Sequence, residues 1–219
     1  MKVKDFLKKY NHAWVFLYAF IYMPWFTYLE KTVTTHFYEI HSKIDDYIPF
    51  IEYFIVPYLL WFVFITVCGL YIFFTDKKEF YKMAAFGIIG MTLFLIICTV
   101  FPNGLYLRPR TFARDNIFVD MVKMLYATDT STNVLPSIHV YLSLTISIAI
   151  KRSKRLEKKQ WVKVATYIMA FLIILSTMFL KQHSVTDVIA AFVLAIAAYV
   201  VVYVPSTAKV HKTARQASI

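Results

Sequence analysis

Long apolar stretches separated by short charged ones dominate the chain. Six of them approach the ~20 residues that a helix needs to cross hydrocarbon. They cover residues 13–29, 54–74, 83–101, 134–150, 161–180 and 184–204. The pattern predicts an all-α fold, an integral membrane bundle of six transmembrane helices forming one domain over residues 1–219. An outer loop at about 102–136 and a tail at about 205–219 complete it. Trp14, Tyr28, Tyr53, Trp161 and Tyr203 fall near segment ends, where amphipathic rings anchor at the membrane surface. Pro24 and Pro57 lie inside segments, and neighbouring helices can re-satisfy the backbone groups that they free.

The loops give an orientation. Lys2, Lys4, Lys8 and Lys9 precede the first segment, and Lys77, Lys78 and Lys82 follow the second. Lys151, Arg152, Lys154, Arg155, Lys158 and Lys159 follow the fourth, and Lys209, Lys212 and Arg215 follow the sixth. If every segment spans, these four basic regions share one side, whereas the first opposite connection is acidic, with Glu30, Glu39, Asp45, Asp46 and Glu52. The positive-inside rule therefore expects both termini in the cytoplasm. The expected location is a plasma membrane, and the compact layout suits a bacterial one. The loop at 102–133 breaks the rule. It lies outside yet carries Arg108, Arg110, Arg114 and Lys123, which implies an anion to bind; for Arg114 and Lys123 lipid headgroups are sufficient partners.

Composition agrees with this reading. The chain is 59% hydrophobic with a mean hydropathy of +0.58, whereas water-soluble domains are typically ~45–50% apolar. The net charge of +11 does not indicate nucleic acid, because the basic residues sit in short loops rather than on an aromatic-basic surface. Cys68 and Cys98 lie within apolar runs and carry no redox information. Bulky Tyr22, Trp25 and Tyr28 stand where a signal-peptide cleavage site would need small residues, so the first segment is expected to remain as an uncleaved span.

Candidate chemistry gathers at two segment starts. His183 and Asp187 are four residues apart and share a face of a helix. A carboxylate there fixes the imidazole tautomer and stabilises its charged form. Asp187 also lies one turn inside an apolar segment, where an acid costs ~2.5–3.5 kcal/mol at mid-span and less near the end; a packing pair with Lys181 or Arg108 is the alternative reading. His139 stands at the matching start of segment four, in Pro136-Ser137-Ile138-His139. Free N–H groups at two helix starts on the outer face, with Arg108 and Lys181 near, suit a phosphate. His12, His36, His41 and His211 are read as interfacial residues.

Taken in order, Arg108-Pro109, Pro136-Ser137-Ile138-His139, and Ser176 with His183 and Asp187 resemble the three-part signature of the type 2 phosphatidic acid phosphatase superfamily. That superfamily includes undecaprenyl-pyrophosphate phosphatases, vanadium haloperoxidases and, more distantly, sphingolipid headgroup transferases. The resemblance implies His183 as nucleophile, Asp187 as its orienting acid and His139 as proton donor to the leaving lipid alkoxide. Arg108 would hold phosphate oxygens with Ser137 as an additional donor, and neither metal nor other cofactor is implied.

Two positions depart from the signature. Phe101 stands where a lysine is usual, and Thr177 where an arginine is usual. Lys181 and Arg110 are the candidate replacements. The expected function is hydrolysis of a phosphate monoester or pyrophosphate on a membrane lipid through a phosphohistidine, the partners being the bilayer and its lipid substrate, not nucleic acid. A headgroup transferase using the same histidine and a non-catalytic transporter or lipid-binding protein are the alternatives.

Overall fold

The computed structural model describes residue 5 and residues 8–205. Lys2, Lys4, Lys209, His211, Lys212, Arg215 and the tail from 206 onward lie outside the described residues. A 3₁₀ helix, Asn11–Tyr18, runs directly into α1, Ala19–Thr32. A connection follows that holds β1 (Tyr38–Glu39), the short α2 (Lys43–Tyr47) and a 3₁₀ turn at Glu52–Phe54. Helices α3 (Ile55–Thr75) and α4 (Lys77–Val100) form a hairpin. After β2 (Asn103–Gly104) the outer loop carries α5, Ile117–Thr128. The chain closes with α6 (Ile138–Arg152), α7 (Gln160–Phe179) and α8 (Val185–Val202).

Alternate elements run in opposite directions. At one end His12 meets the Phe73 carbonyl through Nε2 at 3.0 Å, Lys77 donates to Asn11 at 2.6 Å, and Arg155 donates to the Thr75 carbonyl at 2.9 Å. Arg152 approaches Glu79 at 4.0 Å there, so the basic residues flanking α3, α4 and α6 collect at this end. At the other end Ser137 N–H donates to the Asp187 carbonyl at 3.2 Å and Ile51 N–H to that of Phe179 at 3.1 Å. β1 pairs in parallel with β2, and Gly104 bridges to Thr132, so the loops cap that end.

Among the described residues, four helical stretches are long and apolar enough to cross a membrane: Glu52–Thr75, Lys77–Val100, Gln160–Phe179 and Val185–Val202. The other two segments of the six-span expectation fall short for different reasons. The first begins as a 3₁₀ helix and leaves α1 only 14 residues. The fourth, α6, has 15 residues and inward-facing hydroxyls. It is the central helix, packed on α3, α4, α7 and α8, so its neighbours cover it and it needs no continuous apolar surface. Ser143, Thr145 and Ser147 donate back to the carbonyls of His139, Tyr141 and Ser143, which satisfies each hydroxyl locally. Outward positions on the surrounding helices, such as Phe20, Val100 and Trp161, are exposed and apolar.

Two boundaries differ from the sequence pattern. α4 starts six residues before the apolar stretch, because Asp76 caps it by accepting from Glu79 N–H at 3.0 Å. α6 starts after position 134, where Ser137 accepts from Val140 N–H and follows a cis Leu135–Pro136 bond.

α4 and α6 pack tightly at Gly90. A Cβ there would lie 2.0 Å from the Tyr141 ring, and Tyr141 is fully buried, its hydroxyl donating to the Phe86 carbonyl at 2.8 Å. Gly90→Ala is expected to destabilise by about 1–3 kcal/mol, the usual cost of overpacking. It should also reduce activity, because Tyr141 lies half a turn from His139. A thermal melt and an activity assay check this, and an unchanged melt would show that α6 yields freely.

Candidate active site

Two helix starts set the histidines. Asp187 Oδ2 accepts from Ser184 N–H at 2.9 Å and stands 3.2 Å from His183 Nδ1. A carboxylate only accepts, so Nδ1 carries the proton and the lone pair on Nε2 is left free. Asp187 is fully buried, and its Oδ1 has no hydrogen-bond partner among the described residues. Neither Lys181 nor Arg108 pairs with it, so the helix-packing alternative does not describe this acid. The His139 ring stands 5.7 Å from the His183 ring, edge to face, and packs against Trp61 at 4.3 Å and Tyr58 at 4.7 Å.

Both rings line a cavity of about 670 Å³. Aromatic and apolar side chains form most of its wall, among them Tyr22, Phe26, Tyr58 and Phe94, while Glu30, Asp129, Asn133 and Gln182 supply polar groups. Glu30 accepts from Thr130 at 2.6 Å and from Asn133 at 2.7 Å, which ties α1 to the loop after α5. Burial pushes the Asp129 carboxyl up, and the neighbouring Arg108 and His183, with a hydrogen bond from Tyr58, pull it back. Among the described residues no group of three His, Cys, Asp or Glu gathers as a metal cluster.

The cations lie elsewhere than the sequence suggests. Arg108 donates through Nη1 to the carbonyls of Tyr126 and Asp129, at 3.3 and 2.8 Å, and through Nη2 to that of Thr130 at 2.6 Å. Nη2 also donates to Gln182 Oε1, and the guanidinium lies 4.6 Å over the Tyr126 ring. Arg108 thus braces the loop behind the cavity. Lys181 turns away: its ammonium donates to the carbonyls of Asp45, at 2.7 Å, and Ile48, and its φ of 54° is the left-handed turn between α7 and α8. Arg110 is exposed, and neither it nor Lys181 lines the cavity. Ser137 is fully buried as the α6 cap. Phe101 stacks on Tyr38 at 4.6 Å, and the Thr177 carbonyl accepts from the N–H groups of both Gln182 and His183.

The expectation of free N–H groups at both helix starts needs correction at α8. Asp45 Oδ1 accepts from Val185 N–H at 2.8 Å, Asp45 Oδ2 from the Ser184 hydroxyl at 2.6 Å, and the Ser184 hydroxyl in turn from Thr186 N–H at 3.1 Å. Side chains of this protein therefore already accept from the first N–H groups of α8. Sequence reasoning did not single out Asp45 and Gln182 as site residues. Asp45 had a signal: Ser42-x-x-Asp45 repeats the spacing of Ser184-x-x-Asp187, and both form capping boxes. Gln182 had none beyond adjacency to His183.

A helical bundle with four membrane-length helices and a His–Asp pair facing a second histidine across a cavity defines a membrane-type protein built around an acid–imidazole pair. A family model described as PAP2 superfamily matches residues 85–209, more than half of the chain, and the chain belongs to that superfamily. Its members include phosphatases, which supports an enzyme with phosphatase-type activity. Neither curated proteins nor solved structures gave a match.

Proposed function

We propose that this protein is a multi-pass membrane enzyme that cleaves a phosphate ester or anhydride of a lipid through a phosphohistidine at His183. The observation that carries the reading is the 3.2 Å contact of His183 Nδ1 with Asp187 Oδ2, with the His139 ring alongside. His183 Nε2 attacks phosphorus and the bond from phosphorus to the lipid oxygen breaks. That oxygen takes its proton from His139. Water then attacks phosphorus and gives a proton to His139, and the P–N bond breaks to release phosphate and free His183. As the imidazole becomes cationic, the buried Asp187 carboxylate gains a charged partner, which favours the intermediate. The fold acts as one domain with six crossings, α6 being sheltered by the other helices. The basic end faces the cytoplasm together with both termini, and the cavity opens at outer headgroup depth, where a lipid tail stays in the bilayer.

A second acceptor, an alcohol in place of water, has one observation in its favour. Glu30 and Asp129 line the cavity while cations are missing at Phe101 and Thr177, a charge balance unlike that suited to a free dianionic phosphate. The test is phosphate release by purified protein from a panel of phosphatidic acid, phosphatidylglycerol phosphate and polyprenyl pyrophosphate, with and without an added alcohol. His183→Ala serves as the control. Release that is equal in the control, or no turnover of any lipid, rejects the reading. With an active lipid, kcat/KM is expected to be bell-shaped in pH, since His183 must be neutral and His139 protonated. A flat profile with chemistry rate-limiting would contradict these roles.

A further inference from the structure

The family signature leaves a problem that the geometry answers. Two usual phosphate-gripping cations are absent, Lys181 is committed to backbone carbonyls, and both terminal nitrogens of Arg108 are committed to others, leaving only a buried Nε on a side chain that does not line the cavity. Yet a transferring phosphoryl group needs donors on its equatorial oxygens. One side chain beside His183 is buried and incompletely bonded. Gln182 is only 4% exposed and lines the cavity together with His139 and His183. Its Oε1 accepts from Arg108. A guanidinium has only donors, so the carbonyl of the amide must face it and the NH₂ group must face away. That Nε2 has no hydrogen-bond partner among the described residues.

We infer that Gln182 is a phosphate-binding residue, its Nε2 donating to an equatorial oxygen of the lipid phosphate while Arg108 holds and polarises the amide from behind. The inference rests on the phosphoesterase reading above. A buried donor left unmade is costly, commonly ~1–3 kcal/mol, and a phosphate oxygen would satisfy it. Hydrogen bonds in series also polarise one another, so part of the Arg108 charge reaches the ligand without the guanidinium touching it. Gln182 is the group that touches phosphate, and Arg108 is a positioning residue acting through it.

The isosteric Gln182→Glu change separates this role from a structural one. A glutamate keeps, and strengthens, the bond to Arg108, so the fold holds; it removes the donor and sets a negative charge against the phosphate. The full-length protein in detergent is titrated with inorganic phosphate and assayed with its active lipid, beside Gln182→Ala and Gln182→Lys. Gln182→Glu is expected to melt at or above the wild-type temperature. It should lose about 100-fold or more in kcat/KM, consistent with loss of a transition-state donor, and phosphate affinity should fall in parallel. Gln182→Ala should lose about tenfold or more, and Gln182→Lys, which restores a donor, should bind phosphate better than Gln182→Ala. Wild-type phosphate affinity and turnover in Gln182→Glu would overturn the inference while leaving the His183 chemistry intact. Failure of the wild-type protein on every lipid would instead remove the phosphoesterase reading itself.

Discussion

His183→Ala is expected to lower turnover of the active lipid on the order of 10⁴-fold, the scale seen when a nucleophile is removed and only binding and charge stabilisation remain. The fold should survive. The His183 ring bonds to Asp187 Oδ2, and that oxygen keeps its bond from Ser184 N–H. Asp187→Asn is expected to cost almost as much for a different reason. The asparagine amide can donate to Nδ1, which moves the ring proton to Nε2 and removes the attacking lone pair. Paired measurements of kcat and the melting temperature test both variants. A His183→Ala protein within tenfold of wild type would place the nucleophile elsewhere.

Arg108→Ala is expected to give the largest combined loss of stability and activity. Three loop carbonyls, those of Tyr126, Asp129 and Thr130, lose a charged donor, and Gln182 Oε1 loses its partner. Removing a partner from a buried polar group costs ~1–3 kcal/mol. Arg108 is only half-buried, which limits the total to about 3 kcal/mol, or roughly 6–12 °C in melting temperature for a chain of this size. Turnover should fall at least 100-fold, in line with a lost electrostatic donor. Arg108→Lys should recover part of the melt and little of the turnover, because one ammonium cannot reproduce a planar fork. If Arg108→Lys restored turnover in full, a point charge would suffice and the amide relay would have no role.

Much of the site is legible in the sequence. The spacing of His183 and Asp187 is a property of an α-helix, and the start of a helix near Ser184 follows from the apolar stretch at 184–204. The four apolar helices followed from hydropathy, because lipid leaves a helix no outward choice but apolar side chains. α6 shows where that rule stops. Its hydropathy reflects protein neighbours rather than lipid, so the sequence pattern set its start at 134, whereas a serine cap set it at Ile138. Charge was the least legible quantity. Lys181 is adjacent to His183 in the chain, but a left-handed turn at Lys181 points its ammonium to the carbonyls of Asp45 and Ile48.

The sequence by itself determined the apolar helices, the acid–imidazole pair and the set of histidines at segment starts, because each depends on residues within a turn or two of one another. Only the tertiary structure decided which groups face the cavity. Glu30, Tyr58, Asp129, His139 and Gln182 come from five separate stretches of chain and meet there, and Arg108 stands behind them rather than among them. Contacts between distant stretches depend on how helices pack and loops fold over them. A buried donor or acceptor takes whichever partner that packing brings within reach, and no local pattern in the sequence records the choice.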